Sequence, residues 1–224
     1  MNINRTPFTH LSALGDIHGD IHHSVDGLER KGRIVFAHGY KGFKDWGAWD
    51  LLGDRLAEEG WDFIRFNFSH NGHIKPNLLD CSDEISWSKN TYSIEKSDLE
   101  SVLKFAREGM LNDSEQIIVM GHSRGGGIAS LAASSADVDG LILLASVCDF
   151  ESRFPSGEAL NKWRFSDRLE VLNGRTMQVL YHSFTFYEDF IANSESLNIE
   201  KAIRSFTSPL LVIHGDSDEA VGIS

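Results

Sequence analysis

The sequence predicts an α/β fold, a mostly parallel sheet with helices on both faces, and three observations predict it. Short apolar runs recur at Arg33–Ala37, Ile117–Met120, Leu141–Ala145 and Leu210–Ile213, the continuous pattern of strands buried on both faces. Segments with apolar residues at spacings of three and four lie between them, so strand and helix alternate along the chain. One run, Ile117 to Met120, leads straight into Gly121-His122-Ser123-Arg124-Gly125 and then into small residues, which reads as strand, sharp turn and helix.

In chain order, Thr9 to Val25 is expected to hold two early strands joined by a turn. Leu14-Gly15-Asp16-Ile17-His18-Gly19-Asp20 also matches the opening motif of metallophosphoesterases, because Asp and His two apart at a strand end can share a metal. The downstream ligand motifs of that family are absent: Gly53-Asp54-Arg55 is too short and no Gly-Asn-His-Glu exists. No metal site is expected. After Gly32, Arg33 to Ala37 is a buried strand, and His38-Gly39 opens a loop. Asp45 is placed to cap a helix through Trp49, Leu52 and Leu56, with Gly60 as its stop. Trp61 to Phe68 alternates and is rich in aromatics, so it returns as a strand, and the three elements form a βαβ unit.

Ser69 to Thr91 is polar and turn-rich, with Asn71-Gly72, Lys75-Pro76 and Cys81-Ser82-Asp83-Glu84, an excursion over the surface. Leu99, Val102, Leu103 and Ala106 share one helical face ending near Gly109. After the turn at Ser123, a helix runs through Ile128, Leu131 and Ala132 to the strand at Leu141. Phe150 to Ser208 breaks the rhythm, being dense in aromatics and charges without a clean strand pattern. It is expected to be short helices and loops, a cap-like insert at 150–208 over the mouth of the site, its aromatics packing the insert onto the domain or lining a pocket. The chain is expected to form one domain over 1–224.

Composition removes several classes of function. The chain has 33 acidic and 21 basic residues, a net charge of -12, and no basic stripe, which argues against nucleic acid as a partner. Its first thirty residues lack the apolar core of a secretory signal, and no run is long enough to cross a bilayer. Cys81 and Cys148 make neither a disulfide framework nor a metal-ligand spacing. A cytoplasmic protein with reduced thiols, no membrane partner and no cofactor is expected.

The Gly-x-Ser-x-Gly turn carries the chemistry. A serine hydroxyl is a useful nucleophile when it projects from a tight turn that a base can reach, and Gly121 and Gly125 lack the Cβ atoms that would collide as strand and helix close around Ser123. The helix that follows points its unpaired N–H groups at the anion formed when Ser123 attacks a carbonyl.

These pieces fall in a fixed order: a His-Gly loop, a Gly-x-Ser-x-Gly turn and an acidic loop after a late strand. In that order the chain from Arg33 onward resembles the α/β-hydrolase superfamily. Phe36 to Gly47, Phe66-Asn67-Phe68-Ser69, Gly121 to Gly126 and His214-Gly215-Asp216-Ser217-Asp218 are similar to a bacterial group of single-domain esterase-like and serine-aminopeptidase-like hydrolases. The resemblance implies Ser123 as nucleophile, Asp218 as triad acid, and the backbone N–H groups of Tyr40 and Arg124 as an oxyanion hole. His38, Gly39, Gly121, His122 and Gly125 support the motifs. Asp216, Glu219 and Asp149 compete for the place of the acid. The substrate implied is a small carboxylic ester, with amides or peptides open because fold and triad are shared between those chemistries.

In the family the base is a histidine on a loop after one further strand. Here all ten histidines precede Asp218, and His182 is the remaining candidate near the mouth. The expectation is a chain that lacks the last helix, last strand and histidine loop. The alternatives are a non-catalytic α/β-hydrolase-fold binding protein and, from Gly15 to Asp20, a dimetal phosphoesterase.

Overall fold

The computed structural model describes residues 3–73, 80–108, 115–174 and 176–223. Its centre is a seven-stranded sheet ordered β1-β2-β4-β3-β5-β6-β9. The strands are β1 (Arg5–Leu11), β2 (Asp16–His22), β3 (Gly32–Ala37), β4 (Trp61–Asn67), β5 (Gln116–His122), β6 (Gly140–Leu144) and β9 (Leu210–Ile213). The first two form an antiparallel hairpin, and β2 pairs antiparallel with β4. From β4 to β9 every pair is parallel. The βαβ unit and the late strands lie where the apolar runs predict them; of the two early strands expected within Thr9 to Val25, β2 lies there, but β1 begins ahead of it at Arg5.

Alternation along the strands divides the core. On one face Ile34, Phe36, Phe63 and Met120 pack against Trp49, Leu52 and Leu56 of α1 (Trp49–Glu58). On the other, Val35, Ile64, Phe66, Val119 and Leu141 pack beneath α3 (Tyr92–Glu108) and α4 (Arg124–Ser135). A short α2 (Glu84–Ser88), capped by the Asp83 carboxylate on the Ser86 N–H, interrupts the polar excursion. The reading of Lys75-Pro76 as a turn and of Gly109 as a helix end lies outside the described residues.

Two expectations need correction. Asp45 does not cap α1, whose N-terminal flank is Ala48. Its carboxylate instead accepts from Lys44 Nζ and from Arg65, because a buried lysine and arginine demand compensating charge more strongly than a solvated helix end demands a cap. The segment after β6 is not only helices and loops. A 3₁₀ turn at Glu151–Arg153 and α5 (Gly157–Ser166) lead into an antiparallel hairpin, β7 (Leu169–Asn173) with β8 (Gln178–His182), followed by α6 (Thr185–Ala192) and α7 (Ile199–Ser205). Both hairpin strands are only five residues, too short for their alternation to stand out among the surrounding aromatics.

Most of those aromatics are packed. Trp163, Phe184, Phe186 and Phe190 are buried in the main core, whereas Phe165 is 96% exposed. At the far edge, β9 presents all four side chains, Leu210 to Ile213, at 42–56% exposure. No helix among the described residues is long and apolar enough to cross a membrane.

Candidate active site

Ser123 occupies the point where β5 ends and α4 begins, and the backbone there is strained: its φ is 53° and its ψ -120°. A non-glycine residue so placed costs about 1–3 kcal/mol and persists only where its surroundings over-determine it. They do so here. The Ser123 N–H donates to Leu144 O at 2.9 Å, and the Ser123 carbonyl accepts from Gly126 N at 2.9 Å and Val147 N at 3.2 Å. Close approach of strand and helix explains the flanking glycines. A Cβ on Gly121 would meet Gly125 O at 2.3 Å, and one on Gly125 would meet Ala37 O at 2.3 Å and His38 O at 2.4 Å. Thus the helix start is pressed against the end of β3.

The loop after β3 lies beside the serine. A Cβ on Gly39 would stand 3.1 Å from Ser123 Cβ and 3.0 Å from His122 Nδ1. His38 is buried, and burial holds its imidazole neutral with a pKa lowered to about 3. Its Nδ1 donates to Gly39 O at 3.0 Å, its Nε2 faces the Asn71 amide at 3.5 Å, and its ring meets the edge of Phe68. His38 therefore pins the loop and leaves the adjacent Tyr40 N–H unbonded. Among the described residues neither the Tyr40 N–H nor the Arg124 N–H has a backbone partner. Two such N–H groups beside a hydroxyl can hold an anion.

Asp218 lies on the loop after β9. One of its carboxylate oxygens accepts from the N–H groups of Ala220 and Val221, each at 2.9 Å. These bonds hold its pKa below the usual carboxylate range. Its other oxygen is 3.6 Å from His214 Nε2, which donates to Val221 O at 2.7 Å. Burial lowers the pKa of His122, and the Asp218 charge partly opposes that shift, so the acid is within electrostatic reach of the turn. Of its competitors, Asp216 accepts from Ser217, and Asp149 accepts the Ser152 N–H and hydroxyl as a turn cap. Glu219 is exposed.

No histidine hydrogen-bonds the Ser123 hydroxyl among the described residues. His182, on β8, shares a pocket with Ser123, but its Nε2 is bound to the Tyr40 hydroxyl at 2.9 Å and its ring stacks on Trp87. Burial lowers its pKa to about 3, so it is a weak base. The Gly15 to Asp20 stretch lies on β2, where His18 meets Thr9 and Asp20 meets Lys44. No group of three metal-ligating side chains occurs among the described residues.

Above Ser123 opens a pocket of about 400 Å3 whose walls include Tyr40, Tyr92, Phe154 and Phe186. The β7–β8 hairpin contributes Leu169 and Val171, and it is tied to the β3 loop by the Tyr40–His182 bond and by Lys41 Nζ donating to Leu172 O at 3.0 Å. The Arg124 side chain enters this wall. Its Nε donates to Glu95 Oε2 at 3.0 Å, and Asn90 donates to the other Glu95 oxygen at 2.7 Å. Burial pushes the Glu95 carboxyl up, against the pull of the Arg124 guanidinium.

Sequence reading missed Glu95 and the pocket residue Tyr92. One signal was present: Tyr92, Glu95, Leu99 and Val102 follow each other at three and four residues, so Glu95 falls on the buried stripe of α3. An acid on such a stripe needs a buried cation.

Comparisons with known proteins agree with this fold. The model of the alpha/beta hydrolase family matches residues 34–219. Among solved structures, the chain is similar to Est1E from Butyrivibrio proteoclasticus, with a TM-score of 0.68 and 17% identity over 96% of this chain and 80% of that one. The esterase domain of a Rhodothermus marinus protein gives 0.62 and 18% over 100% and 80%. An alpha-beta serine hydrolase homologue from Coxiella burnetii gives 0.58 and 18% over 97% and 77%. At such identities the likeness is one of fold. No curated protein matches the sequence.

Proposed function

The chain belongs to the alpha/beta hydrolase family, and from that premise we propose that it is a serine hydrolase cleaving small carboxylic esters through an acyl-enzyme on Ser123. The observation that carries this reading is Ser123 itself, held at positive φ on the strand-to-helix turn and opening onto a pocket beside two unbonded N–H groups. Strain of that kind has a use if the hydroxyl must project toward substrate.

The roles follow from the chemistry of acyl transfer. Ser123 Oγ attacks the carbonyl carbon while a histidine base takes its proton, and the N–H groups of Tyr40 and Arg124 hold the tetrahedral oxygen. Collapse expels the alcohol, which receives the proton from the histidinium, and water then attacks the acyl-enzyme to release the acid. Asp218 orients the base and stabilises its cation. No cofactor enters the scheme. Small amides remain within reach of the same groups. The base is the one role without a residue: neither His122 nor His182 bonds the hydroxyl.

That observation favours a second reading, a non-catalytic binding protein on this fold. A fluorophosphonate probe separates the two, applied to the chain and to its Ser123→Ala variant. Label on Ser123, lost in the variant, supports the hydrolase. Absence of label, with cooperative folding intact, sinks it and leaves the binding reading.

A further inference from the structure

In a chain of net charge -12, the described residues lining the pocket above Ser123 include two arginines, Arg124 and Arg153, and no carboxylate. The Arg124 guanidinium carbon lies 5.1 Å from the Tyr40 ring centre, 4.6 Å from that of Tyr92 and 5.0 Å from that of Phe186. All three rings belong to the pocket wall, so the cation is set among them. The side chain is 92% buried by the complement of its 8% exposure. Yet Nη2 has no hydrogen-bond partner, while Nε is occupied by Glu95 behind the wall. Arginine presents five N–H donors and stays charged in proteins. A buried guanidinium edge without an acceptor is an arrangement that a ligand completes.

We infer that this pocket selects acyl groups that carry a second carboxylate, and that the Arg124 guanidinium in its wall receives it. The inference rests on the serine-hydrolase reading and names its substrate class: half-esters of short dicarboxylic acids. The spacer is short because Ser123 and Arg124 line one pocket of only about 400 Å3. Apolar walls suit its methylenes, and Arg153, exposed and donating to Ala220 O at 3.1 Å, adds positive charge to the wall. Arg124 then has two separable roles, its backbone N–H at the scissile carbonyl and its side chain at the distal anion.

The test compares the mono-p-nitrophenyl ester of glutaric acid with the same compound methylated at its free carboxylate. The charged ester is expected to have the higher kcat/KM by about tenfold or more, the scale of one hydrogen bond to a charged group. Removing Arg124 alone would strand Glu95, so the variant is Arg124→Gln with Glu95→Gln, and the preference is expected to vanish in it. Equal turnover of the two esters by the parent chain, or a preference that survives the double variant, overturns the inference. A binding arm is independent of catalysis: calorimetry of the Ser123→Ala chain with monomethyl glutarate and dimethyl glutarate. Preferential binding of the monoester supports the carboxylate site even if the chain does not label with fluorophosphonate. Equal or absent binding of the two overturns it even if Ser123 labels.

Discussion

The Tyr40 hydroxyl lies 2.9 Å from His182 Nε2, joining the loop that follows β3 to the second strand of the hairpin over the pocket. The two residues are far apart in sequence, and both sit in an aromatic setting. His182 Nδ1 has no partner, and Trp163 Nε1 donates to the His182 carbonyl at 2.9 Å. Tyr40→Phe would leave the whole imidazole unpaired while retaining the ring. The expected cost is about 1–3 kcal/mol of stability, the penalty for an unsatisfied buried group, read from the denaturant midpoint. A loosened Tyr40 N–H should also slow labelling of Ser123.

The turn at Ser123 tolerates no added methyl on its flanks. Gly125→Ala places Cβ 2.3 Å from the Ala37 carbonyl oxygen, a backbone atom that can move only with β3. Overpacking of that kind costs about 1–3 kcal/mol or more and should displace the helix start, so loss of both stability and labelling is expected. Gly174→Ala is the control, because nothing lies within 4 Å of its added Cβ. Equal melting temperatures for the two variants would show that the elbow is looser than its geometry implies.

Acid should destabilise the fold. Burial holds His38 and His182 down to about 3, against about 6.5 in an unfolded chain. Below that value the unfolded chain takes up protons that the folded one refuses. Each ring therefore removes up to about 1.4 kcal/mol per pH unit as the pH falls toward 3. Burial also lowers His22, His70 and His122. Asp98 opposes this: burial raises it to about 6, so its contribution is complete at low pH and is lost as pH rises through that value. Glu95, raised by burial, acts in the same sense as Asp98. Five histidines against two acids predict a lower melting temperature at pH 5 than at pH 7, with the difference reduced in His182→Gln.

The edge strand β9 carries its own expectation. Its four apolar side chains are about half exposed, and among the described residues it pairs on one side only, with β6. Unpaired apolar edges invite pairing with another copy, so the apparent mass of the 224-residue chain in size exclusion should rise with concentration. Val212→Lys, a charge on that edge, should suppress the rise. An unchanged elution profile at all concentrations for the parent chain would mean that the edge is already protected.

The sheet, its parallel order and the serine turn were legible because each rests on local pattern: an apolar run bounded by glycine, or glycines spaced around one serine. What was not legible depends on partners distant in sequence. Asp45 looked like a helix cap until Lys44 and Arg65 converged on it. Arg124 could be assigned a backbone role from its place after Ser123, whereas its side-chain role required Glu95, Tyr92 and Phe186 from two other helices. The hairpin over the pocket escaped notice because two five-residue strands hold too few alternations to outweigh their setting.

Asp218 can be tested without disturbing the loop it holds. Its Oδ1 accepts two backbone N–H groups, from Ala220 and Val221, so Asp218→Ala would confound loss of the loop with loss of the charge. In Asp218→Asn the amide oxygen can keep both bonds while the negative charge disappears. If Asp218 orients a histidine and stabilises its cation, the asparagine variant should lose about 10⁴ in kcat, the scale seen when a triad acid is neutralised. Its melting temperature should stay close to the parent's. A loss of stability with ester turnover preserved would assign Asp218 to loop anchoring alone, and the acid would then have to be sought at Asp149, Asp216 or Glu219.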